Sequence, residues 1–181
     1  MWIEILLLAE LARGPRHGYE LRREIEATTG HALSNNSLYP RLRRFVESAA
    51  VRRRAEEHAG TPPRHVYSIT GVGRELLHDM LAALPQDTTD NGRQFTARVM
   101  NFDWLTTEEQ LRILDAQERI LDRKRAHVAG LSPSRAGSWS RRVLDYGVAR
   151  LDADRAWVTV LRAEVEAARA ADGVGRAEDD G

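Results

Sequence analysis

Arg16-His17-Gly18-Tyr19-Glu20-Leu21, then Ser37-Leu38-Tyr39-Pro40-Arg41-Leu42-Arg43-Arg44, then Val66-Tyr67-Ser68-Ile69-Thr70-Gly71-Val72-Gly73-Arg74 are the stretches on which the fold turns. Leu38, Leu42 and Phe45 recur at helical spacing and define one buried stripe. That stripe turns Arg41, Arg44, Glu47 and Ser48 outward and leaves Tyr39 and Arg43 on its flanks. Ser34-Asn35-Asn36-Ser37 supplies residues that cap helices. A start at Ser37 puts Pro40 in the first turn, where its missing N–H costs nothing. Before this helix, Gly18 to Thr29 reads as another, with Leu21 and Ile25 inward and Gly30 as its stop. Met1 to Ala12 reads as a buried helix ending at Arg13-Gly14-Pro15.

After the third helix, Val51 to Ala55 and Val66 to Thr70 read as two short strands. Glu56 to Pro63 between them is a polar loop too long for a tight hairpin. A fourth helix runs from Gly71 to Leu84. The order helix, helix, helix, basic hairpin predicts a winged helix-turn-helix over residues 1–84, with its third helix suited to a DNA major groove.

The charge distribution agrees with that reading although the total does not. The 181 residues carry 27 basic and 27 acidic side chains, so the net charge is zero. From Ser37 to Arg74, however, 8 arginines face 3 glutamates, net +5. A local positive field on a neutral protein is a directed surface; the bland alternative is a solvated charged face. Lys124 is the one lysine, which points to genome composition more than to chemistry. The absence of cysteine removes disulfides and thiolate chemistry. No apolar run reaches the ~18 residues of a transmembrane helix. Acidic Glu4 and Glu10 are out of place in a signal peptide. A cytoplasmic protein without membrane contact is expected.

Residues 85–92 read as a linker, 93–171 as an all-helical dimerisation domain, and 172–181 as a disordered acidic tail. A helix from about Gln94 to Asn101 leads to Thr106, which with Glu109 has capping-box spacing. Leu114, Leu121 and Val128 then repeat every seven residues. Gly130 to Gly137 is a turn around Pro133. The last helix, Ser138 to about Ala170, carries two apolar seams. One holds Trp139, Val143, Tyr146, Ala153, Trp157 and Val160; the other holds Leu144, Val148, Leu151, Val158, Leu161 and Val165. An arc that wide needs two neighbours: the Thr106 helix is one, and the second is either the N-terminal domain or another copy of the chain, so a homodimer is expected. Leu114, Leu121, Trp139, Val143, Tyr146, Leu151, Trp157, Val158 and Leu161 are its candidate residues.

For DNA, Asn35, Asn36, Ser37 and Arg41 are the candidate base readers because they lie near the start of the third helix. Tyr19, Tyr39, Arg43 and Arg44 are candidate phosphate contacts. Arg52, Arg53, Arg54, Arg64 and His65 lie on the wing, able to follow the backbone or reach the minor groove. Tyr19 and Tyr39 read equally as core caps with a wet hydroxyl, and Arg52 to Arg54 as a charged edge that blocks strand pairing. His17 fixes a turn or touches phosphate. His58 and His65 lack further ligands at metal spacing, so no metal is expected. Nor is any cofactor, and no catalytic constellation argues for an enzyme. Trp2, Phe102, Trp104 and Trp157 are candidates to line an apolar pocket for a small aromatic effector, against the plainer reading of core or interface. A winged-helix module that binds protein instead of DNA is the alternative function.

These motifs resemble those of the PadR family of transcriptional regulators. The resemblance rests on Gly14 to Leu21, Ser37 to Arg44 and Tyr67 to Thr70 with Gly73, and covers about the first 84 residues. The second half looks like the helical C-terminal domain of longer members, related to virulence-activator regulators. The resemblance implies a homodimer joined by its C-terminal helices, its wings gripping a palindromic operator on double-stranded DNA. It also implies a repressor, released in some members by small phenolic or drug-like ligands. Two departures stand out. Asn35-Asn36 replaces the Pro-Gly common in the family, and Ser48-Ala49-Ala50 replaces Glu-Gly-Leu. Without the glycine that takes a left-handed cap, a different or longer end to the third helix is expected.

Overall fold

Three helices precede the sheet: α1 (Trp2–Arg13), α2 (Gly18–Thr29) and α3 (Asn35–Glu47). The computed structural model describes residues 1–58, 61–88, 91–131 and 138–179. Strands β1 (Arg16–His17), β2 (Val51–His58) and β3 (Thr61–Ile69) form an antiparallel sheet in the order β1-β3-β2. Helices α4 (Gly71–Ala82), α5 (Asn91–Val99), α6 (Thr107–Ala129) and α7 (Ser138–Asp179) follow, with a 3-10 turn at Phe102–Trp104. This is the mainly α architecture expected, a winged helix-turn-helix followed by a helical region.

Local chemistry accounts for most element ends. Gly30 takes the left-handed conformation that stops α2. Ser34, not Ser37, caps α3: its hydroxyl accepts from the Ser37 N–H at 3.2 Å. Helix α3 therefore begins at Asn35, and Pro40 lies inside it. A proline there removes one helical hydrogen bond, and the carbonyl of Asn36 is the acceptor that loses it. The stripe of Leu38, Leu42 and Phe45 is buried as expected.

The end of α3 corrects the expectation of a different or longer end, because the left-handed position is kept without a glycine. It stops at Glu47, and Ala49 itself adopts the left-handed conformation, φ 58°. What holds it there is Thr70. The Thr70 hydroxyl donates to the Ala49 carbonyl at 2.7 Å and accepts from the Gly73 N–H at 3.1 Å, capping α4. Gly73 has to be glycine, because a Cβ there would lie 2.1 Å from the Ala50 carbonyl oxygen.

The wing also differs from expectation. Most of Glu56 to Pro63 is strand, and pairing continues from Val51↔Ile69 to His58↔Thr61, with an irregularity between Glu56 and His58. Pro62 and Pro63 are tolerated because β1 pairs only with Tyr67 and Val66, so β3 has a single neighbour at the prolines.

The chain divides into two compact units, Met1–Ala83 with Gly92–Trp104, and Leu84–Asn91 with Leu105–Gly181. The division corrects the expected boundaries. Residues 92–104 belong with the N-terminal unit, where Phe95 and Ala97 are buried. The expected linker is tied down in the second unit. Asn91 and Gln117 exchange amide hydrogen bonds at 3.2 and 3.1 Å, and Lys124 pairs with Asp87 at 2.8 Å. Paired amides satisfy each other's donor and acceptor, which lets both be buried.

In the second unit Thr106 and Glu109 form the expected capping box. Helices α6 and α7 pack together and are laced by Arg125–Asp152, Arg155–Asp122 and Arg162 with Asp115 and Glu118. Helix α7 runs on to Asp179, so residues 172–179 are helical where a disordered tail was expected. The alanines at 167, 168, 170 and 171 are strong helix formers and carry it forward. The expected turn at Pro133 lies outside the described residues. Among the described residues, no helix is long and apolar enough to cross a membrane.

Candidate nucleic-acid interface

The start of α2, the first half of α3 and the root of β3 converge on one open cleft of about 580 Å³. It is lined by His17, Gly18, Tyr19, Tyr39, Arg64, His65 and Tyr67. Gly18 permits the approach of α3 to α2: a Cβ there would come within 2.9 Å of the Tyr39 ring. Four residues named from sequence, Tyr19, Tyr39, Arg64 and His65, are thus neighbours in space. Both tyrosines are exposed, which favours a ligand-facing role over a core cap.

His17 organises this cleft. Its backbone N–H donates to Glu20 Oε2 at 2.8 Å, and its ring stacks on Tyr19. Its Nδ1 donates to the His65 carbonyl at 3.2 Å, since a carbonyl can only accept. Nε2 is left 3.7 Å from Glu56 Oε2. Burial pushes the Tyr67 phenol above its usual pKa, against the pull of Arg53, which hydrogen-bonds it.

The candidate base readers separate into two groups. Asn35 and Asn36 are exposed at the first turn of α3, and Asn35 Oδ1 accepts from Arg22 Nη1 at 3.3 Å. Ser37 and Arg41 are engaged within the protein. Arg41 Nη1 donates to the Ser37 carbonyl at 2.5 Å and to its hydroxyl at 2.8 Å, while Nε donates to Glu4 at 2.9 Å. The outward placement expected for Arg41 is therefore corrected. Its side chain is 25% exposed, because this flank of α3 faces α1 and the Glu4 carboxylate draws it in. Arg44 reaches the same oxygen of Glu4 at 3.4 Å yet stays 65% exposed. Burial opposes ionisation of Glu4, but the Met1 amino group and Arg41 outweigh it and hold the carboxyl below the usual value. Arg43, Arg52, Arg53, Arg54 and Arg64 are exposed, and among the described residues none of them carries an ion pair.

The dimer candidates separate as well. Leu114, Leu121 and Val158 are buried, and Leu151 and Leu161 are half-buried on the covered side of α7. Leu114, Leu121 and Val158 thus serve the fold of a single chain, while Leu151 and Leu161 keep part of their surface open. Trp139, Val143, Tyr146 and Trp157 are exposed, joined by Val160, whose heptad position the sequence already carried. Trp139 is 77% exposed.

Of the four effector candidates, Trp2, Phe102 and Trp104 lie in the N-terminal unit and Trp157 in the other. Trp2 alone lines a cleft of about 270 Å³ in the N-terminal unit, with Leu6, His31, Arg93, Ala97 and Met100. The Arg93 guanidinium lies 5.9 Å from the Trp2 ring centre and His31 meets that ring edge-on. Neither Phe102 nor Trp104 lines that cleft, and Trp157 lies on the exposed seam of the other unit. Position 93 went unnoticed because an arginine beside a glycine carries no aromatic signal.

A family model, transcriptional regulator PadR-like family, matches residues 7–79, which hold α2, α3 and the wing. An uncharacterized 37.1 kDa protein in transposon TN4556 of Streptomyces fradiae is 39% identical over 74 residues. That match covers 41% of this chain and spans a fifth of the relative's length, 20%. The Bacillus subtilis PadR structure in complex with operator DNA is 19% identical, with TM-score 0.42, over 90% of this chain and 98% of that one. A putative transcriptional regulator from Thermoplasma acidophilum is 31% identical, with TM-score 0.41, over 56% and 86%. A PadR family transcriptional regulator from Eggerthella lenta is 30% identical, with TM-score 0.40, over 44% and 68%. The residues that line the cleft and open α3 fall inside the matched stretch, so residues 7–79 form a domain of the PadR-like transcriptional regulator type.

Proposed function

We propose that the protein is a homodimeric repressor that binds an inverted-repeat operator and is released by a small aromatic effector. The observation that carries the DNA reading is the cleft where Tyr19, Tyr39, Arg64 and His65 meet beside the exposed first turn of α3. Two phenols, a guanidinium and an imidazole are donors suited to a phosphate oxygen. In this reading Asn35 and Asn36 read base edges, Asn favouring adenine. Tyr19, Tyr39, Arg43, Arg44, Arg64 and His65 hold phosphates, and Arg52, Arg53 and Arg54 follow the backbone along the wing. Arg41 and Ser37 shape α3 without touching bases. The exposed seam of α7 supplies the dimer contact, and the Trp2 cleft supplies a stacking surface and a cation for the effector.

Fluorescence anisotropy with an inverted repeat from the protein's own upstream region, against random duplex, tests the reading. The expected result is a clear operator preference that weakens steeply with salt. Replacing Arg52, Arg54 or Arg64 by Gln should lower affinity for both duplexes alike and flatten the log–log salt slope by about 0.9 each. Equal binding to operator and random duplex would discard the reading and leave the protein-binding module in its place.

A further inference from the structure

One Glu4 oxygen serves two arginines of α3, and the two contacts are unequal. Arg41 is the inner partner, 25% exposed, at 2.9 Å and anchored again on Ser37. Arg44 is the outer partner, 65% exposed, at 3.4 Å, with no second anchor among the described residues. An exposed ion pair of this kind is worth at most about 1 kcal/mol, so it can exchange for another anion. DNA phosphate is the competing anion wherever α3 is docked.

We propose that Glu4 is a specificity-determining residue, which withholds Arg44 from loosely bound DNA and yields it only when α3 is seated on the operator. The proposal rests on the DNA-binding reading above. In a non-specific complex α3 is not seated in the groove, phosphates engage Arg44 too weakly to displace the carboxylate, and Arg44 stays on Glu4. In the operator complex α3 is seated and Arg44 changes partner. The acid therefore taxes non-specific binding, the term that depends most on unattached cations. Arg41 does not exchange, because Ser37 holds it as well. Its task is to keep Glu4 ionised and in place.

Two variants test this by anisotropy over a salt series. Arg44→Gln should weaken operator binding about three- to fivefold and flatten its log–log slope by about 0.9, leaving random duplex unchanged. Glu4→Gln should tighten random-duplex binding about three- to fivefold and steepen its slope by about 0.9, and should tighten operator binding by a smaller factor, since only the cost of parting Arg44 from Glu4 is removed there. The double variant should lose the random-duplex gain, which separates release of Arg44 from simple removal of a negative charge. Circular dichroism establishes that each variant folds; if Glu4→Gln does not, Arg44→Gln alone decides. Operator preference with Arg44→Gln weakening both duplexes equally overturns this proposal and leaves the regulatory reading intact. A wild-type protein without operator preference overturns both.

Discussion

Ala49 occupies a backbone region that side chains avoid, at a cost of about 1–2 kcal/mol relative to a right-handed residue. Thr70 offsets part of that by binding the Ala49 carbonyl. Replacing Ala49 with Gly relieves the strain but frees the unfolded chain, so a net gain of about 0.5–1 kcal/mol is expected in urea unfolding. Glu4 yields a prediction of a different kind. Its folded pKa lies below the ordinary value of a glutamate carboxyl. The stabilisation it brings is thus complete above that value and is lost as pH falls through the folded pKa. Melting temperatures of wild type and Glu4→Gln should differ at pH 7 and converge as the pH falls below the folded pKa, under the ordinary carboxylate range. A constant gap across that range would show that Glu4 does not titrate against its arginines.

Helix α5 carries a cost of its own. Arg98 is 1% exposed, donates Nη1 to the Gln94 carbonyl at 3.3 Å, and leaves Nε and Nη2 without a hydrogen-bond partner among the described residues. Burial alone pushes the guanidinium below its usual pKa. An unpaired buried cation is strongly destabilising, so Arg98→Met should raise stability by about 1–4 kcal/mol in the same urea assay. Periodicity does not signal such a residue, because a buried arginine looks like a surface one in sequence. Elements whose ends are written in their own caps were legible: Gly30 for α2, Thr106 with Glu109 for α6, and the Leu38–Leu42–Phe45 stripe for α3. Elements that depend on distant pairing were not. The two-residue β1 exists only because β3 lies beside it, and the wing strands run through Pro62 and Pro63 because the sheet is one strand short there. The cleft was half legible: its tyrosines, Arg64 and His65 stood out as side chains. The structural work of Gly18 and the inward turn of Arg41 needed the neighbouring helix to be seen.

At the scale of the whole molecule, the exposed seam of α7 from Trp139 to Val160 extends roughly 32 Å at a helical rise of 1.5 Å per residue. Helix α6 covers the other seam, and Trp139, Val143, Tyr146 and Val160 of this strip remain exposed. Replacing Tyr146 and Trp157 by Glu should convert a dimer to a monomer in analytical ultracentrifugation while helicity is retained. A wild-type monomer at micromolar concentration would remove the seam from the proposed interface. The hydroxyl of Thr70, finally, joins three parts at one atom: the end of α3, the root of the wing and the start of α4. Helix and hairpin cannot turn against each other without breaking that node. They reach any docking partner already aligned, so little of the binding free energy is spent on ordering them. Thr70→Val would show this as a larger entropic penalty of binding by calorimetry, even where every side chain that touches the partner is unchanged.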